Sequence, residues 1–181
     1  MSHNPDKQKG KVVLVTGGAG FIGSHLVENL VKNNPEYQVF SLDNYFTGKV
    51  ENHVEGVTYI NGHTKDIENL VKVVPDLVFH LGEYSRVESS FDDVATVFDF
   101  NKIGTFAVLE FCRKHNAKLV YAGSSTKFAD GGLGRDQSPY AWTKATNTEL
   151  VINYGSWYGL KYAVTYFYNV YGPREIREGK Y

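Results

Sequence analysis

Short β-branched runs alternate along the chain with longer stretches of helical period, the signature of βαβ units wound around a parallel sheet. Six runs read as strands: residues 11–16, 38–43, 57–60, 76–81, 118–122 and 162–168. Helical spacing runs from about Ser24 to Lys32, through an extended crossover from Asp93 to His115, and from Ser138-Pro139 to about Tyr158. Pro139 suits a first helical turn, and Pro75 stands just ahead of the fourth strand, where a missing N–H does little harm. The pattern predicts an α/β fold, a doubly wound parallel sheet in three layers, with residues 1–181 as a single domain. Repeats, linkers and low-complexity tracts are absent from the sequence.

Composition narrows the class. With 181 residues and a 42% apolar share, the chain has enough material for a sizeable core. Nineteen basic against 20 acidic residues leave a formal charge of -1, so no global field draws in nucleic acid or an anionic membrane. Any anion must be held locally. Met1 to Lys9 is polar, and no apolar run approaches the roughly 20 residues that span a bilayer. The expectation is a cytoplasmic protein without a membrane or nucleic-acid partner. Cys112, the single cysteine, cannot form an internal disulfide and reads as a buried helix residue. No metal site is expected.

Gly17, Gly20 and Gly23 stand between the first strand and the first helix, the context that gives a spaced glycine motif its meaning. Glycine permits a tight turn and close backbone approach, and the helix start, with Phe21 and Ile22, offers free N–H groups and a partial positive charge to a pyrophosphate. This predicts a Rossmann-type unit holding a dinucleotide. Asp43 ends the second strand at roughly the expected 20-residue distance, where its carboxylate would bind both adenosine ribose hydroxyls and repel a 2′-phosphate. That favours NAD over NADP. Asp66-Ile67, after the third strand, is a candidate for the adenine edge, with Asp66 as a helix cap the plainer reading.

Tyr140 and Lys144 lie four residues apart on one helix face. A neighbouring ammonium lowers a phenol's pKa, so that the phenol can take a proton from a hydroxyl. Gly123-Ser124-Ser125-Thr126 closes the fifth strand, and crevices in open α/β sheets form beyond the carboxyl ends of strands. A serine there can bind the same hydroxyl.

Taken in order, Thr16 to Leu26, Leu42-Asp43-Asn44, Phe79-His80-Leu81, Asn101 to Thr105, Ser124-Ser125-Thr126, Tyr140 with Lys144, and Asn169 to Arg174 make the chain resemble the extended short-chain dehydrogenase/reductases, and among them nucleotide-sugar epimerases of the UDP-glucose 4-epimerase kind. The resemblance implies Tyr140 as base, Lys144 on the nicotinamide ribose, and Ser124 on the sugar hydroxyl, with Thr126 a second candidate. It implies hydride transfer from sugar C4 to NAD and back to the opposite face. It also places Asn44, Thr47 and Gly48 near the adenosine, Leu81 and Gly82 along the cofactor, Asn101 under the fifth strand, and Ser85 and Asn169 on the substrate side. A UDP-sugar substrate and a homodimer are its further implications.

The pattern departs from that family at several points. Sugar dehydratases of the family carry an Asp-Glu pair where this chain has Ser125-Thr126, which favours epimerisation over elimination. Lys127-Phe128-Ala129 replaces the usual Val-Tyr-Gly. Glu83 and Arg86 stand where small apolar residues are usual, and read either as a surface pair or as residues that reshape the sugar pocket. The chain stops at Tyr181, so a substrate domain of ordinary size is expected to be absent or truncated. The alternatives are another nucleotide-sugar oxidoreductase or dehydratase, or a non-catalytic NAD-binding module.

Overall fold

A computed structural model describes residues 10–176, less the side chains of Ala129 and Asp130. Six strands form one sheet: β1 (Val12–Thr16), β2 (Gln38–Asp43), β3 (Val57–Asn61), β4 (Leu77–His80), β5 (Lys118–Ser124) and β6 (Tyr162–Phe167). Their spatial order is β3-β2-β1-β4-β5-β6, and every pairing is parallel. The strand order reverses between β1 and β4, and a crevice opens beyond their carboxyl ends. This is the doubly wound, Rossmann-type sheet that the hydrophobic pattern predicts.

Alternation along the strands sorts side chains into two cores. On one face Val13, Val15 and Val39 pack against Val27 and Leu30 of α1 (Phe21–Asn33). On the other, Leu14, Leu42, Val78 and Leu119 meet Ile67 of α2 (Ile67–Leu70), Leu109 and Cys112 of α4 (Thr105–His115), and Val151 and Tyr154 of α5 (Pro139–Tyr158). Helices thus cover both faces in three layers. Cys112 is fully buried, as its helical position predicts, and burial pushes its thiol up to about 12.

Local differences from the sequence pattern have physical causes. α1 begins at Phe21 rather than near Ser24, because Gly20 takes the extended N-cap conformation and the Ser24 N–H already donates to its carbonyl at 3.0 Å. The stretch from Asp93 to His115 is not one α-helix. α3 (Val94–Val97) runs into a π-helical turn, Phe98–Gly104, and only then into α4. Residues Ser125–Asp136 wind as 3-10 turns before α5, whose start is set by Pro139 and by Ser138, with Oγ accepting from the Ala141 N–H at 3.0 Å. β6 pairs only with β5 among the described residues, and Tyr162, Ala163 and Thr165 are exposed along it. No helix of the described residues is long and apolar enough to cross a membrane.

Candidate active site

The glycine turn is shaped by backbone crowding. Gly17 has φ of +76°, and a Cβ there would lie 2.9 Å from the Gly82 nitrogen; one on Gly23 would lie 2.0 Å from the Gly17 carbonyl oxygen. Only glycine allows the first turn of α1 to tuck under the loop after β1. α1 has neither a side-chain cap on its end nor an acidic residue in its first turn, so its first N–H groups stay available to an anion. Asp43 is held at the end of β2, its Oδ2 accepting from Ala19 N–H and its Oδ1 from Tyr45 N–H, both at 2.9 Å. Burial pushes its carboxyl up, against the pull of those two N–H groups. Gly48 packs against it, since an added Cβ would lie 2.8 Å from Asp43 Oδ1. This cradle fits the dinucleotide that the sequence predicts.

A cavity of about 620 Å³ runs from this cradle to the end of β5. Gly17, Gly20, Phe21, Ile22, Gly23, Asp43, Asn44, Thr47, Leu81 and Gly82 line one part of it. Ser85, Ser124, Thr126, Tyr140, Lys144 and Asn169 line the rest, so segments far apart in the sequence meet around one cavity. Asp66 and Ile67 do not reach it: Asp66 is exposed and makes no side-chain cap bond, and Ile67 is a core residue. A small adjoining hollow is lined instead by Gly62, His63 and Thr64 with Asp43, Asn44 and Gly82. His63 Nδ1 accepts from Lys65 N–H at 3.0 Å, and its ring meets Phe100 edge-on at 4.7 Å.

At the β5 end, Ser124 Oγ accepts from the Thr126 hydroxyl at 3.0 Å and the Thr126 N–H at 3.3 Å. Its own proton remains free to be donated into the cavity. Thr126 thereby orients Ser124. Tyr140 and Lys144 occupy successive turns of α5, and the Lys144 ammonium lies 4.7 Å from the centre of the Tyr121 ring.

Glu83 and Arg86 both line the cavity, and of the two sequence readings the surface pair is the one that fails at Glu83. Glu83 does not pair with Arg86 on the surface: its side chain is 3% exposed and bonds Lys144, itself 6% exposed, which also donates to the Ala122 carbonyl. Glu83 Oε1 accepts from the Thr105 hydroxyl at 2.7 Å, from Asn147 at 3.0 Å and from the Tyr121 hydroxyl at 3.2 Å. Burial works against the charged carboxyl, but the Lys144 ammonium and the Thr105 hydroxyl outweigh it and hold Glu83 below the usual carboxylate range.

Proton counting fixes the rest of this network. Because Thr105 spends its hydroxyl proton on Glu83, His80 Nε2 must donate to Thr105, at 2.9 Å, and His80 Nδ1 accepts from Thr16 at 2.7 Å. His80 is therefore neutral, and burial lowers its pKa to about 4. Thr16 Oγ1 in turn accepts from the Leu81 and Gly82 N–H groups at 3.1 and 3.0 Å. One buried chain of polar groups thus ties the strand before the glycine turn to the lysine of α5. Asn101 lies within the π-helical turn, accepting from Tyr84 N–H at 2.7 Å and donating to Thr143 at 3.0 Å. It fastens the loop after β4 to α5.

The comparisons with known proteins agree with this geometry. Residues 13–180 match the model of the NAD dependent epimerase/dehydratase family. A relative in Methanocaldococcus jannaschii, named as a candidate UDP-glucose 4-epimerase, is 34% identical over 93% of this chain and 59% of its own length. A dTDP-glucose 4,6-dehydratase of Mycobacterium tuberculosis is 30% identical over 89% of this chain and 54% of its own length. The UDP-glucose 4-epimerase of Thermus thermophilus, solved in complex with NAD, superposes with a TM-score of 0.81 at 34% identity, covering 93% of this chain and 58% of that one. The chain thus spans between half and two thirds of the length of these relatives. Its glycine turn, its sheet order and the match over nearly its full length place it in the NAD-dependent epimerase/dehydratase family.

Proposed function

We propose that the chain carries the cofactor site and the proton-transfer residues of an NAD-dependent nucleotide-sugar 4-epimerase, with a UDP-hexose as substrate. The observation that supports it most is that Ser124, Tyr140 and Lys144 line one cavity together with the glycine turn and Asp43. Asp43 favours NAD, because a carboxylate there repels a 2′-phosphate.

In this reading the first turn of α1 holds the pyrophosphate, Asp43 the adenosine ribose, and Lys144 the nicotinamide ribose. Bound NAD supplies a reversible hydride acceptor. Tyr140 takes the proton of the sugar C4 hydroxyl as the C4 hydrogen leaves, and returns it once the hydrogen has been restored from the other face. Ser124 donates to that oxygen in both directions, with Thr126 keeping the serine proton pointed inward. Ser85 and Asn169, both exposed on the cavity wall, face the sugar and its diphosphate. Hydroxyls rather than carboxylates follow Ser124, so no acid stands there to drive loss of water, which favours epimerisation over the dehydratase reaction. Pairing into a homodimer belongs to the same reading, and the exposed Ile103, Phe106 and Trp142 on and beside α4 and α5 support it.

The test is incubation of the purified chain with NAD and UDP-glucose or UDP-galactose. Interconversion that Tyr140→Phe abolishes is the expected result. Loss of water in the product mass would move the assignment to a dehydratase, and net reduction of the cofactor to an oxidoreductase. NAD binding with no turnover of any nucleotide sugar would leave a cofactor-binding module and reject catalysis by this chain.

A further inference from the structure

Among the described residues, Glu83 is the one buried carboxylate the proposed chemistry leaves unused, and it is bonded to the lysine that chemistry depends on. Its four hydrogen-bond partners, Thr105, Tyr121, Asn147 and Lys144, come from α4, β5 and α5, so its position is determined by three elements at once. Two of the three protons on the Lys144 ammonium go to Glu83 and to the Ala122 carbonyl, leaving one for a ligand. The lysine is thus aimed before anything binds. A carboxylate in contact with that ammonium also cancels most of its charge as felt from the cavity, because the two form a short dipole instead of a lone cation.

We propose that Glu83 is a positioning residue that fixes the direction of Lys144 and neutralises it, so that the field acting on Tyr140 is that of a balanced ion pair. This rests on the reading of Tyr140 and Lys144 as the proton-handling pair. The other titratable groups facing the pair are His80 from β4, Tyr121 from β5, Lys102 from the π-helical turn, and Arg86 and Glu175 on the cavity wall. His80 is neutral through its bonds to Thr16 and Thr105, and Tyr121 is held protonated by burial, so neither can replace Glu83 as counter-ion. Lys102 is committed to Thr146 and Asn147 at 3.1 and 2.8 Å.

The experiment needs neither cofactor nor sugar. Tyrosinate absorbance is titrated with and without Tyr140→Phe, and the difference isolates Tyr140 from the other tyrosines. In Glu83→Gln the lysine charge is unbalanced, and the titration of Tyr140 should fall by about one pH unit, the lower end of the effect of a close opposite charge. In Glu83→Gln/Lys144→Met both charges are gone, and the titration should stay close to that of the unmodified protein. An unchanged Tyr140 titration in Glu83→Gln overturns the proposal. If Glu83→Gln does not fold, the double variant decides: a rise of about one unit would mean that Lys144 acts as an uncompensated cation, and overturns it equally. Failure of sugar turnover would leave these titrations unaffected, so this inference and the proposed function fail separately.

Discussion

Acidification should unfold this protein in part through a single imidazole. His80 is completely buried and neutral, with its pKa lowered from 6.5 to about 4 chiefly by burial. In the unfolded chain the same ring titrates near its ordinary value, so between about pH 6.5 and 4 the unfolded state binds a proton that the folded state does not. The contribution is therefore complete above about pH 6.5 and is lost as the pH falls toward about 4. At about 1.4 kcal/mol per pH unit, that gap is worth about 3 kcal/mol. This is a large part of the roughly 5–15 kcal/mol typical of a whole domain. Urea unfolding at pH 7, 5.5 and 4, for the protein and for His80→Asn, measures it. Asp43 and His63, whose titrations burial also shifts, lie outside the His80 network, are common to both proteins and cancel in the difference. The variant should start less stable at pH 7 and lose about 3 kcal/mol less on acidification. Parallel losses in both proteins would show that His80 is not held neutral, and would undo the proton count through Thr16 and Thr105.

Two further outcomes follow from local geometry. Gly23→Ala places a methyl 2.0 Å from the Gly17 carbonyl oxygen, which should lower NAD affinity in calorimetry by more than about tenfold while costing about 1–3 kcal/mol of stability, as overpacking does. Cys112, buried and with its thiol pushed up to about 12, should resist a thiol-specific reagent at pH 8 in the folded protein and react fully in urea; rapid labelling without denaturant would contradict its place in the core.

Much of this was legible in the sequence because the strongest signals are local. A β-branched run such as Val12 to Thr16 followed by spaced glycines needs no distant information to be read as a strand and a phosphate turn. Ser138-Pro139 likewise announces the start of α5. The rest depended on contacts between remote residues. Glu83 has the appearance of a loop carboxylate, and its partner Lys144 lies 61 residues away, so only the fold reveals that the two share a buried space. The π-helical turn is hidden because one widened turn barely disturbs the apolar period from Asp93 to His115, yet it lies where Asn101 turns inward to Tyr84 and Thr143. After β3, Asp66-Ile67 carried the plausible residue types, whereas Gly62, His63 and Thr64, at the entry to the 3-10 turn Thr64–Asp66, line the small hollow beside Asp43.

β6 has a consequence for how the molecule behaves in company. Its outer side is a row of backbone donors and acceptors with no neighbouring strand among the described residues, flanked by exposed aromatic rings at Tyr162, Tyr168 and Tyr171. Such a rim is a template: a strand laid against it would find its hydrogen bonds already in place, and the aromatic rings would select which strand stays. A charged residue on that rim would be the simplest way to keep another strand from pairing there.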